Sequence, residues 1–347
     1  MPVRVSVVGA SGYGGAEAVR LLATHPGVCL THVTAETHKD RAIADLYPNL
    51  RGFLSLTTEA ADPAVIGTDS DVVIVSLPSG KAMEIVPELL ERGARVIDVA
   101  ADFRLREPAQ YPVWYKFTHA APRYLAEAVY GLPELHRAAI RQARLVANPG
   151  CYPAAALLAL APLLRAQAVE RRGIVVDAKS GVSGAGRGGS SSLGFSDTNE
   201  DVRAYNVPGH SHTAEIEQEL SGQAGGEVRV TFVPHLVPMT RGILATAYAP
   251  LARRMTTAEA LELYRDAYAG EPFVRVLPEG ALPQTKATAG SNYCDVAVRV
   301  DSRTQTAVAI AALDNLGKGA AGQAIQNLNL MAGLPEETGL RIPGMYP

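Results

Sequence analysis

A β-branched run, Val3, Val5, Val7 and Val8, leads straight into Gly9-Ala10-Ser11-Gly12-Tyr13-Gly14-Gly15. The stretch after it, 16–24, reads as a helix. Strand, glycine turn and helix in that order narrow the choice of fold more than any other segment. Small residues let a backbone come close to a pyrophosphate, which then rests on the N–H groups at the start of the helix. Glycines 9, 12 and 15 form GxxGxxG, a variant of the dinucleotide fingerprint, although glycine-rich turns also close ordinary βα units. The placement between strand and helix favours dinucleotide binding, with Gly9, Ser11, Gly12, Tyr13 and Gly14 as the cradle.

A βαβ rhythm follows. Strands are expected at 29–34, 71–78 and 95–100, and a helix at 81–92. Residues 71–78, DVVIVSLP, are almost continuously apolar, as in a parallel sheet covered on both faces. Ligands bind at the carboxyl ends of such strands. Pro78 and Ser79, and Arg104 in Ala101-Asp102-Phe103-Arg104, are therefore expected around one crevice. Arg104 suits an anion there, the alternative being an ordinary surface arginine. In the loop after the second strand, Glu36 suits the ribose hydroxyls of NAD, whereas Ala35, Thr37 and Lys39 leave room for the 2′-phosphate of NADP. Both cofactors stay open. Residues 105–144, rich in Tyr, Pro and Arg, read as loops and short helices.

Leu145-Val146-Ala147 reads as a buried strand, followed by Asn148-Pro149-Gly150-Cys151-Tyr152-Pro153 and a helix over 154–168. Pro153 suits a first helical turn, where its missing N–H is not needed. Cys151 then sits at a strand-to-helix turn just ahead of a helix N-terminus. Unpaired N–H groups and the helix dipole favour negative charge there, lowering a thiol's pKa and favouring the nucleophilic thiolate. The alternative is a small residue packed at a turn, since free cysteine is commonly buried.

At 347 residues the chain suits about two domains. A net charge of −3, with both signs spread along the chain, gives no electrostatic case for nucleic acid or an anionic membrane. Cys29, Cys151 and Cys294 are far apart and form no CxxC or metal-ligand spacing, so a reducing cytoplasm is the expected home. No apolar run reaches transmembrane length, and the N-terminus carries no cationic region followed by an apolar core.

Beyond Cys151 the character changes. A strand at 173–178 opens into a glycine- and serine-rich stretch, 179–192, which follows the nucleophile's helix and so reads as an active-site loop rather than a linker. In Val207-Pro208-Gly209-His210-Ser211-His212-Thr213-Ala214-Glu215, Thr213 suits the cap of a helix over 214–220. His210 and His212 just ahead of it, with Glu215 in its first turn, suit a general acid/base and its orienting carboxylate. A metal site is the rival reading, but His-x-His supplies only two ligands and no third is evident, so no metal is expected. Strands at 227–234, 242–249, 273–276, 293–300 and 306–313, with a helix at 257–268, indicate an α+β second domain with a mostly antiparallel sheet. Arg241 is a second candidate anion ligand. A last helix runs from the 314–324 segment to about Gly333.

Seven stretches then stand in order along nearly the whole chain: GASGYGG (9–15), ADFR (101–104), NPGCYP (148–153), DAKSGVSGAGR (177–187), GHSHTAEIE (209–217), PHLVPMTRGILAT (234–246) and DNLGKGAAGQA (314–324). Together they resemble the N-acetyl-γ-glutamyl-phosphate reductase family, within the wider aspartate-semialdehyde dehydrogenase superfamily. The resemblance implies an α/β Rossmann domain over 1–150, completed by the C-terminal segment 315–347, and a catalytic and oligomerising domain over 151–314. It implies NADPH-dependent reduction of a small acyl phosphate through a thioester on Cys151, in arginine biosynthesis, by a homodimer or homotetramer. His210 occupies the GHS position and is the first choice of acid/base, His212 the second, and Glu215 would orient the imidazole. Arg104 would hold the departing phosphate and Arg241 or Arg203 a substrate carboxylate. Ser183 falls to the substrate site and Asn315 to the cofactor. The chain departs from the family in AETHKD (35–40), which lacks the serine and arginine expected for a 2′-phosphate, and in Ser211, where the family often has a basic residue. The rival readings are the same chemistry on aspartyl phosphate, on a carrier-bound acyl phosphate, or a redox-silent dinucleotide-binding regulator with an inert Cys151.

Overall fold

The computed structural model describes residues 1–188 and 193–346 and divides into two compact units. The first comprises Met1–Pro149 and Ala320–Ile342; the second comprises Gly150–Gly319 and the segment from Pro343 on. The crossovers lie at 149/150 and 319/320, against the 150/151 and 314/315 expected from sequence. Asn315 stays with the second unit because its side chain bonds Gly242 and Ser183 there.

The first unit holds six strands, β1 (Val3–Val8), β2 (Val28–Val33), β3 (Val72–Val75), β4 (Arg95–Asp98), β5 (Val129–Tyr130) and β6 (Leu145–Ala147). They run parallel throughout in the order β2-β1-β3-β4-β6-β5. Val5, Val7, Val73, Ile74, Val96 and Ile97 are wholly buried, as a sheet covered on both faces requires. Within 105–144, read as loops and short helices, the chain forms the helix Pro133–Gln142, ten residues long, and also β5, which was not anticipated. Two residues are too few for a strand period to register, and that helix buries only Pro133, Glu134 and Ile140, so its apolar stripe is thin.

At the end of β4, Asp98 is fully buried. Its Oδ1 accepts from the Ala100 N–H, while Oδ2 has no hydrogen-bond partner among the described residues. Burial, followed by the nearby Asp102 charge, pushes its carboxyl up to about 8. A carboxyl raised in the folded state binds its proton more tightly there than in the unfolded chain. Its contribution to stability is therefore full below about pH 4 and is lost as the pH rises through about 8. Asp98→Asn should remove that loss. Urea unfolding should show the variant gaining on the wild type as pH rises from about 5 to about 8. A constant difference between the two proteins would mean that Asp98 ionises freely.

The second unit holds β7 (Ile174–Gly181), β8 (Arg203–Ala204), β9 (Val230–Val237), β10 (Ile243–Pro250), β11 (Val274–Val276), β12 (Cys294–Asp301) and β13 (Thr306–Leu313). Their order is β11-β12-β13-β10-β7-β9-β8. The sheet is mostly antiparallel, as expected, but mixed rather than purely so. β7 pairs with β9, and β11 with β12, in parallel; the other four pairings are antiparallel. Both parallel pairs follow from their connections. A crossover containing the helix His212–Ala224 joins β7 to β9, and a long connection with the short helix Thr285–Thr288 joins β11 to β12.

The helix Cys151–Arg165 packs against β10, β12 and β13 and against the helices His212–Ala224 and Thr257–Ala267. Every residue from Tyr152 to Leu164 is buried, so this helix is apolar all round and forms the unit's core. Pro162 lies inside it and supplies no N–H to the Leu158 carbonyl one turn earlier. The Tyr268 hydroxyl donates to that carbonyl instead, at 2.5 Å. Tyr268→Phe leaves the carbonyl buried without this donor and should cost about 1–3 kcal/mol in denaturant unfolding. An unchanged midpoint would show that the carbonyl needs no donor.

The opposite sheet face is open. Along β7 and β10 the helix-covered residues Val176, Ala178, Ala245 and Ala247 are wholly buried, while Val175, Asp177 and Thr246 are half-buried and Tyr248 is exposed. Val175, Tyr248 and Val308 form one cross-strand row of that open face, and Asp177, Thr246 and Ile310 the next.

Candidate active site

In the first unit, the turn after β1 leads into the helix Tyr13–Leu22, which begins three residues earlier than expected. Gly9 has φ +89°, and a Cβ there would sit 2.2 Å from the Ser76 carbonyl oxygen; a Cβ on Gly15 would sit 2.2 Å from the Gly9 carbonyl oxygen. Only glycine fits either place. Gly12 differs: a Cβ there meets nothing closer than 3.6 Å. Gly12 is the N-cap and brings no side chain of its own to cap this helix. A helix start with a glycine N-cap, beside a glycine turn, fits a pyrophosphate. Ser11 accepts at its carbonyl from Tyr47 Oη at 2.7 Å, and Tyr13 is exposed at the helix start. Pro78 and Ser79 follow β3 at its carboxyl end. Glu36 is already engaged, accepting from the Ala61 N–H at 3.2 Å and lying 3.8 Å from Lys39.

The ADFR segment does more than sequence reasoning anticipated. Asp102 Oδ1 accepts from the Gly80 N–H at 2.7 Å and Oδ2 from the Met83 N–H at 2.9 Å, capping the start of the helix Ala82–Glu91. Its only sequence signal was a carboxylate just beyond a buried strand. Arg104 is buried and donates from Nε to the Asn148 carbonyl at 2.8 Å and from Nη2 to the Val99 carbonyl at 2.9 Å.

In the second unit, Cys151 is the first residue of its helix rather than lying ahead of it. Gly150 is the N-cap, without a side-chain cap. The Gly150 N–H donates to Glu215 Oε1 at 2.7 Å, and Glu215 is wholly buried, so the nucleophile's turn is tied to the helix His212–Ala224. A Cβ on Gly319 would lie 2.9 Å from Cys151 Cβ, so a glycine is required beside the cysteine.

The helix expected over 214–220 spans His212–Ala224. Thr213 is inside it and Ser211 is the N-cap, which corrects the expected cap. The physical reason is a different cap: the His212 N–H donates to His210 Nδ1 at 3.1 Å, and the Thr213 N–H to the His210 carbonyl at 3.0 Å. His210 is buried, and burial lowers its imidazole pKa to about 4. The Tyr205 hydroxyl donates to Tyr152 Oη at 3.2 Å, and Tyr152 Oη to the His235 carbonyl at 3.0 Å. Burial pushes the Tyr205 hydroxyl up to about 12.

Cys151, Tyr152, Arg203, Tyr205, His210 and His212 line one cavity of about 680 Å³, to which the glycine-rich segment contributes Gly184 and Ala185. Residues 189–192 of that segment lie outside the described residues. The cavity thus brings together Cys151, both histidines and one of the two candidate arginines. Arg203 lies 3.1 Å from Asp201. Arg241 pairs instead with the buried Asp314, at 2.9 Å, and Ser183 Oγ accepts from Asn315 at 3.0 Å. Tyr205 was missed. Its signal was weak, a tyrosine five residues before His210 with no periodicity to single it out. Among the described residues no group of three or more metal-ligating side chains converges, and no helix is long and apolar enough to cross a membrane.

The semialdehyde dehydrogenase NAD binding domain matches residues 4–143, and the semialdehyde dehydrogenase dimerisation domain matches residues 151–315. Among solved structures, aspartate semialdehyde dehydrogenase II from Vibrio cholerae, complexed with ASA, is similar with a TM-score of 0.72 and 18% identity, covering 96% of this chain and 99% of that one. The Candida albicans aspartate semialdehyde dehydrogenase with NADP is similar with a TM-score of 0.70 and 16% identity, covering 96% and 99%. These two show the fold alone. Two N-acetyl-γ-glutamyl-phosphate reductases are much closer in sequence. That of Pelotomaculum thermopropionicum is 52% identical and that of Symbiobacterium thermophilum 54% identical, each alignment covering 100% of both chains. With half the residues shared from end to end, and a cysteine at a helix start facing two histidines, the chain belongs to the N-acetyl-γ-glutamyl-phosphate reductase family.

Proposed function

We propose that this enzyme reduces N-acetyl-L-glutamyl 5-phosphate to N-acetyl-L-glutamate 5-semialdehyde and phosphate, a step of arginine biosynthesis, with Cys151 as nucleophile. The observation that carries the reading is the cavity shared by Cys151, His210, His212 and Arg203 at a helix start whose N-cap is Gly150. The Cys151 thiolate attacks the acyl carbon, the sulfur–carbon bond forms, and the carbon–oxygen bond to phosphate breaks. The helix start favours the thiolate, and its N–H groups suit the oxyanion of the tetrahedral intermediate. One of the two histidines accepts the thiol proton and returns it. NADPH, held on the Gly9–Gly14 turn with Pro78 and Ser79, supplies hydride when bound. The resulting thiohemiacetal collapses, the carbonyl re-forms and Cys151 leaves as thiolate.

Arg203 takes the substrate carboxylate in this reading, since it lines the Cys151 cavity and Arg241 does not. Arg104 is assigned to the departing phosphate on the family motif, its guanidinium steadied by two backbone carbonyls. Arg203→Ala should raise the substrate KM about ten- to a hundredfold, the loss of one charge-assisted contact, with kcat changed less. A KM that stays put would move the carboxylate to another residue. The open face of the seven-stranded sheet, with Val175, Tyr248, Val308 and Ile310, is the surface on which a second copy packs to give a homodimer, or a homotetramer by further pairing. The family supports a cytoplasmic enzyme.

The test is the reverse reaction. NADP⁺ reduction should require phosphate and should prefer N-acetylglutamate semialdehyde to aspartate semialdehyde. Equal or better use of aspartate semialdehyde, or turnover without phosphate, would overturn the assignment.

A further inference from the structure

The two histidines of the cavity have different hydrogen-bonding states. His210 accepts at Nδ1 from the His212 backbone N–H, at 3.1 Å. A ring nitrogen that accepts carries no proton, so the neutral ring is protonated at Nε2. Four rings hold it edge-on: His212 at 4.7 Å, Tyr205 and Phe232 at 5.4 Å, and Tyr152 at 5.9 Å. Among the described residues no protein group accepts from Nε2, and the residue lines the Cys151 cavity. The titratable or charged groups facing that cavity are Cys151, Tyr152, Arg203, Tyr205 and His212. They include no carboxylate that would hold an imidazolium. Glu215, on the adjoining helix, accepts from the Gly150 N–H. Burial lowers the His210 pKa to about 4, which agrees with a ring that stays neutral near pH 7.

The geometry points to His210 as a fixed hydrogen-bond donor: its Nε2–H binds an oxygen of the acyl group in the Cys151 cavity, and His212 carries the proton transfer. This assignment rests on the acyl-phosphate reading above and reverses the order in which sequence alone ranks the two histidines. A donor whose tautomer is set before substrate arrives needs no reorganisation when negative charge develops on that oxygen.

Long-range ¹⁵N–¹H correlation on the labelled enzyme tests the tautomer directly, with the His210 signal identified by its absence from His210→Gln. The ring should remain neutral and Nε2-protonated from about pH 5.5 to about 8.5. A ring protonated at Nδ1, or one titrating near the ordinary histidine value, overturns the assignment. Kinetics give the second arm. His210→Ala should lose about 10²–10³-fold in kcat while the pH profile keeps its shape. His210→Gln, which returns an N–H near Nε2, should recover at least about tenfold of that loss. His212→Gln should lose the limb of the profile due to the acid/base. Equal losses in Ala and Gln at 210, with that limb gone in both, would make His210 the proton carrier and overturn the assignment. Failure to form acyl-Cys151 in the wild type would overturn the reaction and this assignment together. A titrating His210 alongside trapped acyl-Cys151 would overturn this assignment alone.

Discussion

Cys151→Ser lowers turnover by about 10⁴-fold or more while substrate and cofactor binding and the unfolding midpoint stay near wild type. Cys151 opens a helix whose residues Tyr152 to Leu164 make the core, and its own side chain is partly exposed to the cavity. A hydroxyl of similar size disturbs no packing there. It fails chemically: a serine hydroxyl is hardly ionised at neutral pH, and an ester accepts hydride less readily than a thioester. Steady-state rates, with binding followed by calorimetry, check both halves. A Ser variant that keeps a tenth of the activity or more would mean that the cysteine is not the nucleophile, and one that unfolds would mean that it is chiefly a packing residue.

The second large effect is at Gly12. As the N-cap of Tyr13–Leu22 it has extended backbone, φ −77° and ψ 161°, and a Cβ there meets nothing closer than 3.6 Å. Aspartate is a preferred N-cap residue, so Gly12→Asp should leave the fold unchanged or more stable by a few tenths of a kcal/mol. Its carboxylate would occupy the N–H groups that receive a pyrophosphate and would repel that diphosphate. Cofactor affinity should fall by about a hundredfold or more, since charge-assisted bonds of about 1.5–3 kcal/mol each are lost. Opposite signs in stability and affinity distinguish a blocked anion site from a damaged fold. Unchanged NADPH affinity would remove the helix start from the cofactor site.

The contrast between what the residues revealed and what they concealed follows from range. The parallel sheet was legible because β1, β3 and β4 are buried on both faces and so read as apolar runs. β13 matches its expected span, Thr306–Leu313, because its pattern is strong and polar residues, Gln305 and Asp314, flank it. The short β5 and β8, at two residues each, have no period to read. The parallel pairings within the second sheet depend on which strand lies beside which, and local pattern does not encode that. At the site, motif spacing brought Cys151, His210 and His212 into view, and the family resemblance added Arg203. It carried no information on whether a long polar side chain has already spent its bonds. Arg241 against Asp314, Asn315 against Gly242 and Ser183, and Asp102 on the Gly80 and Met83 N–H groups are all pairings between residues distant in sequence. The helix cap at Ser211 went to the His210 ring for a local reason instead: Thr213 suits a cap by residue type, but the turn just before the helix folds the His210 ring onto the His212 N–H.

The thioester on Cys151 is the centre of this account, and rapid quench with acyl phosphate in the absence of reduced cofactor tests it most directly. Wild-type enzyme should release about one equivalent of phosphate per site in a burst, and the trapped acyl group should map to the peptide bearing Cys151. Absence of acyl-enzyme in the wild type, or its equal formation in Cys151→Ser, would contradict the thioester mechanism.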